Sequence, residues 1–283
     1  MSTAFLFNNK MMKYGTHAMG ISSSPTPPVP VIPANTVRVR TNDGNPPVKS
    51  YEATFESATL VEGTTDVYDV YKSGTSFDGL LIRCTNITEV LGANLTGITS
   101  SYYMFQGCSS LTTVNNILNT SAIENTAFMF SYCSSLTSAP LFNTSSVTTM
   151  SNMFSGCSSL TTVPLLDTSS VTNMTRMFQD CSSLTTIPLL DTRSVTNMQY
   201  MFRSCTSLTT VPLLNTSNVT SMLHMFNGCI NVESGALALY QQASTQANPP
   251  SNHTSTFKDC GSNTVTGAAE LAQIPSSWGG TGA

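Results

Sequence analysis

The chain has 283 residues, of which only 9% are charged, with a formal net charge of −4 and an isoelectric point near 5.2. That acidic balance excludes the basic stripe a nucleic-acid binder needs, and the lack of any apolar run of about 18 residues excludes a membrane-spanning helix. With so little charge and abundant Ser, Thr and Asn, the surface must be built mainly of hydroxyls and amides.

Residues 1–34 read as an arm and a linker. The start, MSTAFLFNNKMMKYG, has an apolar run only from Ala4 to Phe7, with Lys10 after it. A secretory signal needs a basic start and an apolar stretch of roughly 7–15 residues. Sec export is therefore not expected, and neither are structural disulfides. The arm reads either as a disordered tail or, from Phe5, Leu6, Phe7, Met11 and Met12, as a segment that orders by docking on a partner. Pro25-Thr26-Pro27-Pro28-Val29-Pro30-Val31-Ile32-Pro33 predicts a polyproline spacer of about 28 Å. An apolar hook followed by a stiff spacer is the layout of something tethered to a larger assembly.

Residues 35–83 predict an N-terminal β cap, with a small independent domain as the alternative. Val37 and Val39 alternate with Arg38 and Arg40, the pattern of a half-buried strand. Asp43-Gly44 is a hairpin signal, and Thr59-Leu60-Val61 and Val67–Tyr71 are further strand candidates. Such a cap covers the end of a repeat array that would otherwise expose unpaired backbone groups.

From residue 84 to residue 228 one sequence is written about six times. Cysteines fall at Cys84, Cys108, Cys133, Cys157, Cys181, Cys205 and Cys229, a step of 24 broken once by 25. A period between 20 and 50 residues marks a solenoid. Counting from each cysteine, Leu111, Leu136, Leu160, Leu184 and Leu208 fall three on, and Val114, Ala139, Val163, Ile187 and Val211 six on. Leu141, Leu165, Leu189 and Leu213 fall eight on. This LxxVxL spacing predicts one short parallel strand per coil, with coils stacked about 4.8 Å apart. Val147, Val171, Val195 and Val219 follow, then Met150, Met174, Met198 and Met222. Each coil closes on Met-Phe, as at Met153-Phe154 and Met177-Phe178, where a short turn brings the chain round. Methionine suits an uneven gap between coils.

Residues 229–283 predict a C-terminal cap. Gly235–Ala243 reads as a helix ended by Asn248-Pro249-Pro250, and Phe257-Lys258-Asp259-Cys260 echoes Phe178-Gln179-Asp180-Cys181. The array therefore has a last coil with a helix inserted in it, and Trp278-Gly279-Gly280 completes the cap. The fold class expected is mainly β: a leucine-rich-repeat solenoid of ~24-residue coils between two caps.

The recurring MFxxCxSLTxxPLLxTSxVTxM resembles the BspA-type leucine-rich-repeat proteins, in the variant found in mycoplasma surface lipoproteins and in gut-bacterial and phage proteins. The resemblance covers Cys84 to Cys229, about half the chain. It implies a non-enzymatic surface or adhesive role, with no shared catalytic residues to carry over. Read with the missing export signal, it implies a phage-encoded protein.

The chemistry-bearing residues have structural readings. All eight cysteines sit on the repeat rhythm or its final echo, as expected of a buried column, and none has the paired spacing of a zinc site. Asn94, Asn143, Asp167, Asp191 and Asn215 stand ten residues after a cysteine, where stacked amides would hydrogen-bond along the column. Asp167 over Asp191 is a like-charge pair that could attract a cation. His17, His224 and His253 have no neighbouring nucleophile, so no catalytic residue, cofactor or metal is expected. Strand alternation predicts the best binding face. If Val163 and Leu165 point inward, then Thr162, Pro164 and Leu166 point out, as do Thr186, Pro188, Leu190, Thr210, Pro212, Leu214 and Phe142. The alternative is that this leucine turns inward at a coil corner.

The expectation is a bacteriophage virion appendage. Residues 1–34 would anchor it to other virion proteins, and the solenoid would present a face to a bacterial surface protein or glycan, without nucleic-acid binding or membrane insertion. A homo-oligomer is compatible with this. The rivals are a virion decoration or tail component without a receptor, a bacterial cell-surface adhesin, and a crystal-binding face built from Thr161, Thr185 and Thr209.

Overall fold

The computed structural model describes residues 31–48 and 52–282. The arm residues Phe5, Leu6, Phe7, Met11 and Met12, most of the proline-rich spacer, and His17 lie outside the described residues.

The structure is mainly β with two short helices. Strands β1 (Thr36–Thr41), β2 (Ser57–Leu60), β3 (Val67–Tyr71), β4 (Ile87–Asn94), β5 (Thr113–Val114) and β6 (Ile117–Leu118) form one sheet in the order β2-β3-β1-β4-β5, with β6 also on β4. Pairing is antiparallel up to β4, which then pairs in parallel with β5 and β6. The predicted cap and the first repeats therefore share one sheet. Val37 and Val39 are fully buried as the alternation predicts. Arg38 is buried too, because Asp69 stands opposite it on β3 and takes its guanidinium in two hydrogen bonds of 2.7 and 2.8 Å. A buried charge needs such a partner. Asp43-Gly44 does not make a hairpin between neighbouring strands, since β1 pairs with β3 and β4. The turn there is instead held by Asn86, whose side-chain amide donates to Asp43 and to the Pro46 carbonyl, both at 3.1 Å.

Beyond β6, consecutive repeats are joined position by position. Isolated parallel bridges link Ser100, Asn125, Thr149, Asn173, Asn197 and Ser221 in succession. The strand expected at LxxVxL is not a strand in the regular repeats. It is reduced to single bridges such as Ser138↔Thr162 and Thr210↔Ser234. The reason is proline. The Ala139 N–H donates to the Thr162 carbonyl at 3.1 Å, but the next residue, Pro140, has no N–H to continue the ladder, and Pro164, Pro188 and Pro212 repeat the interruption.

Turns form at Met-Phe, where one was expected. Each has two residues four apart with left-handed φ, for example Asn152 (57°) with Gly156 (76°) and Tyr200 (59°) with Ser204 (59°). This twice-kinked backbone directs alternate N–H groups to different partners. Met153 bonds within the turn to Met150, while Phe154 donates to Met177 of the next repeat at 2.9 Å. The side chains between the kinks stack. Phe105, Phe130, Phe154, Phe178, Phe202, Phe226 and Phe257 are all fully buried, with successive ring centroids 5.0–6.0 Å apart. Full burial of such a side chain contributes roughly 1.5–3 kcal/mol.

Helix α1 (Ala236–Thr245) lies where the sequence predicts one, and Phe257 rejoins the phenylalanine column behind it. The Gln242 and Gln246 side chains donate to the Leu214 and Thr216 carbonyls at 2.7 and 3.0 Å, taking the place of the next repeat's backbone. Helix α2 (Val265–Leu271), capped by the Thr264 hydroxyl, was not foreseen. Trp278 stacks on His253 at 4.1 Å, and its carbonyl accepts from the Phe257 N–H.

Candidate functional site

The predicted face is oriented differently from the expectation. Phe142, Leu166, Leu190 and Leu214 are buried, while the residue before each, Leu141, Leu165, Leu189 and Leu213, is 56–70% exposed. Thr162, Thr186 and Thr210 are exposed, but Pro164, Pro188 and Pro212 are half-buried. Period-2 alternation requires an extended strand, and after Pro164 the chain is not one. Val163 and Leu166 both turn inward, three residues apart, and Leu165 is left outside. The exposed leucines stand at equivalent positions 24 residues apart, so they form a row across neighbouring repeats. The LxxVxL spacing alone predicts them in the core. The proline immediately before each was the signal that they are not.

Beside this row runs a column of Asx turns. The Asp167 carboxylate accepts from the Ser169 N–H at 3.1 Å and hydroxyl at 2.7 Å, and Asn143 and Asn215 hold Ser145 and Ser217 in the same way. These side chains are thus bonded two residues ahead. Stacking along the column, as expected for all of them, is seen only where Asn119 donates to Asn94 at 3.1 Å. The adjacent Thr144, Thr168 and Thr192 are buried, and each hydroxyl donates to the backbone carbonyl of Asp167, Asp191 or Asn215 in the next repeat at 2.8 Å. Asp191 is not left facing Asp167 alone. The Arg193 side chain pairs with it at 2.6 Å, and with the Arg193 N–H it pushes the carboxyl down to about 2. The Ser169 hydroxyl and N–H hold Asp167 low in spite of the like charge of Asp191.

Between the leucine row and the Asx turns lies a furrow. One cleft of about 340 Å³ is bordered by Leu189, Leu213, Asp191, Arg193 and Asn215. A second of about 380 Å³ is bordered by Leu213, Asn215, Ser217, Gln242 and Gln246. One wall is aliphatic and the other carries hydroxyls, amides and one ion pair. Such a furrow can hold an elongated ligand by apolar contact along one edge and hydrogen bonds along the other.

The remaining candidates are internal. Every cysteine is buried and unbridged. Cys157, Cys181 and Cys205 each donate from Sγ to the carbonyl of the phenylalanine one repeat back, at 3.1 Å. Burial pushes the Cys157 thiol up to about 12, so it is no nucleophile. His253 lies under Trp278 and His224 against Tyr200. Among the described residues no group of three or more His, Cys, Asp or Glu is placed to hold a metal ion, and no helix is long and apolar enough to cross a membrane. The hydroxyls of Thr161 and Thr209 donate to the Thr137 and Thr185 carbonyls.

The family described as "Mycoplasma protein of unknown function, DUF285" matches this chain twice, over residues 49–157 and 138–238. No curated protein matches it.

Proposed function

The chain belongs to the DUF285 family, and we propose that it is a non-enzymatic attachment protein: a leucine-rich-repeat solenoid that binds a protein or glycan of a bacterial surface along the Leu141–Leu165–Leu189–Leu213 row. The observation that carries this reading is the exposure of those four leucines, more than half of each side chain, in a repeat whose other aliphatic positions are almost all buried. A contiguous apolar row rimmed by polar groups is the usual mark of an interaction surface, and repeat arrays commonly bind through such a row. The furrow beside it supplies hydrogen-bonding groups at the same repeat spacing. The proposed setting is a bacteriophage virion, with residues 1–34 as the anchor to other virion proteins. Support for that part comes from the apolar and proline-rich sequence of the arm.

The test is binding of the purified full chain to candidate host cells, with Leu165→Ser/Leu189→Ser as the comparison. The reading requires that the wild type bind and that the double variant, with an unchanged melting temperature, bind at least tenfold more weakly. Equal binding by both removes the leucine row as the contact, and no binding by the wild type leaves a purely architectural component.

A further inference from the structure

Arg38, Arg40, Arg83 and Arg193 are each ion-paired with a carboxylate. Among the described residues, Lys72, Arg176, Arg203 and Lys258 are in no such pair, and the last three are exposed. The repeat geometry brings them together. Arg176, Tyr200 and His224 hold the same position in successive repeats, each N–H donating to the next repeat at 2.8–3.1 Å. Arg203, Asn227 and Lys258 hold the position three residues further on, and Ser204 and Gly228 donate to the Asn227 and Lys258 carbonyls at 2.8 and 2.9 Å. These are two adjacent columns on a rigid backbone. Tyr200 stacks on His224 at 5.2 Å, with the Arg176 guanidinium 4.8 Å and the Arg203 guanidinium 5.8 Å from its ring centre. Asp180 and Asp259 follow in the next column, Asp180 accepting from the Gln179 amide at 2.9 Å.

We propose that Arg176, Tyr200, Arg203, His224 and Lys258 form a binding site for a phosphorylated sugar, with the sugar ring against the Tyr200–His224 pair and the phosphate between Arg203 and Lys258. A guanidinium and an ammonium two repeats apart in one column, with Asn227 between them, offer donors from two sides to a tetrahedral anion. The aromatic pair offers a flat apolar surface to the ring's C–H groups. Burial together with the charges of Arg203 and Lys258 depresses the basicity of His224, so both cations act on the edge of the aromatic pair, with Asp180 and Asp259 in the column beyond. The chain's net charge of −4 disfavours a nucleic-acid strand, whose binding needs extended positive potential. This site is formed by the Met-Phe turns, not by the leucine row, and stands whether or not that row binds a surface.

The experiment follows the His224 imidazole of the full chain by NMR at low salt, titrating glucose 6-phosphate, inorganic phosphate, glucose and a short single-stranded oligonucleotide. Glucose 6-phosphate is expected to shift the His224 signals saturably and raise their titration midpoint, glucose to do neither, and inorganic phosphate to bind more weakly. Arg203→Gln/Lys258→Gln should weaken the sugar phosphate at least tenfold. Arg176→Gln, a single exposed change, should weaken it to a smaller degree and serves if the double variant does not fold. No saturable shift, undiminished binding by the variants, equal affinity for glucose, or tighter binding of the oligonucleotide would overturn the assignment.

Discussion

The thiol of Cys157 donates to the carbonyl oxygen of Phe130, one repeat earlier, at 3.1 Å, and that same carbonyl accepts the Cys133 N–H at 3.1 Å. The cysteine column is thus a set of side-chain hydrogen bonds that tie each repeat to its predecessor, in the company of the stacked phenylalanines. Replacing Cys157 by Ala removes the donor and leaves a small cavity, and should cost about 1–3 kcal/mol. Cys157→Ser keeps a donor and should cost less. Denaturant midpoints of the two variants check the order.

Thiol chemistry gives a second readout of the same column. Burial raises Cys108, Cys133, Cys181 and Cys205 well above the usual thiol range. The native protein should therefore leave all eight cysteines unmodified by an alkylating reagent at neutral pH. All eight should react once denaturant is added, as a mass spectrum will count.

Leu165 and Leu166 are sequence neighbours with opposite surroundings. Leu165→Ser should change stability by less than about 0.5 kcal/mol, whereas Leu166→Ala should cost about 2–5 kcal/mol. Urea unfolding of both separates the exposed residue from the core residue.

Phe178 lies between Phe154 at 5.8 Å and Phe202 at 5.6 Å, fully buried. Phe178→Ala should cost about 3–5 kcal/mol. Because each repeat packs on its neighbours, amide exchange should accelerate first in the repeats either side of residue 178.

Two carefully placed glycines should respond unequally. A Cβ at Gly228 would meet nothing closer than 3.7 Å, so Gly228→Ala should cost only the left-handed backbone term, about 1 kcal/mol. At Gly235 the Cβ would lie 2.4 Å from the Val211 carbonyl oxygen, which cannot swing aside. Gly235→Ala should cost about 2–4 kcal/mol, measured by thermal unfolding.

The acid response has two steps. Asp191 is held down to about 2 by Arg193, below an unfolded value of about 4. The stability it lends is present above pH ~4 and is lost as pH falls towards 2. His224 is also depressed in the fold. Stability should therefore decline as pH drops below about 6.5, since the unfolded chain takes up that proton first. Arg193→Ala should flatten the lower step and His224→Gln the upper one in a plot of urea midpoint against pH.

The period, the buried cysteine and phenylalanine columns, β1, β3 and α1 were legible in the sequence, because each depends on spacing or local propensity. The orientation of the leucine pair was not. A two-residue alternation continued through Pro164, where the chain leaves the extended state, exchanges Leu165 and Leu166, whereas the coil-corner alternative places Leu166 inside as the structure does. The Asx residues were expected to bond upward through the stack, but a Ser two positions ahead is nearer than the next repeat. Helix α2, with Gly267 in its middle, carried too weak a propensity to stand out. The grouping of Arg176, Tyr200 and His224 requires knowing that the turn holds them on the outside.

The two glutamines of α1 that occupy the Leu214 and Thr216 carbonyls have a consequence for heredity as well as for folding. An in-frame duplication between Cys133 and Cys205 inserts a unit whose donors and acceptors match those on either side, so the gene can lengthen or shorten its product a step at a time. A duplication beyond α1 meets a surface already sealed against it.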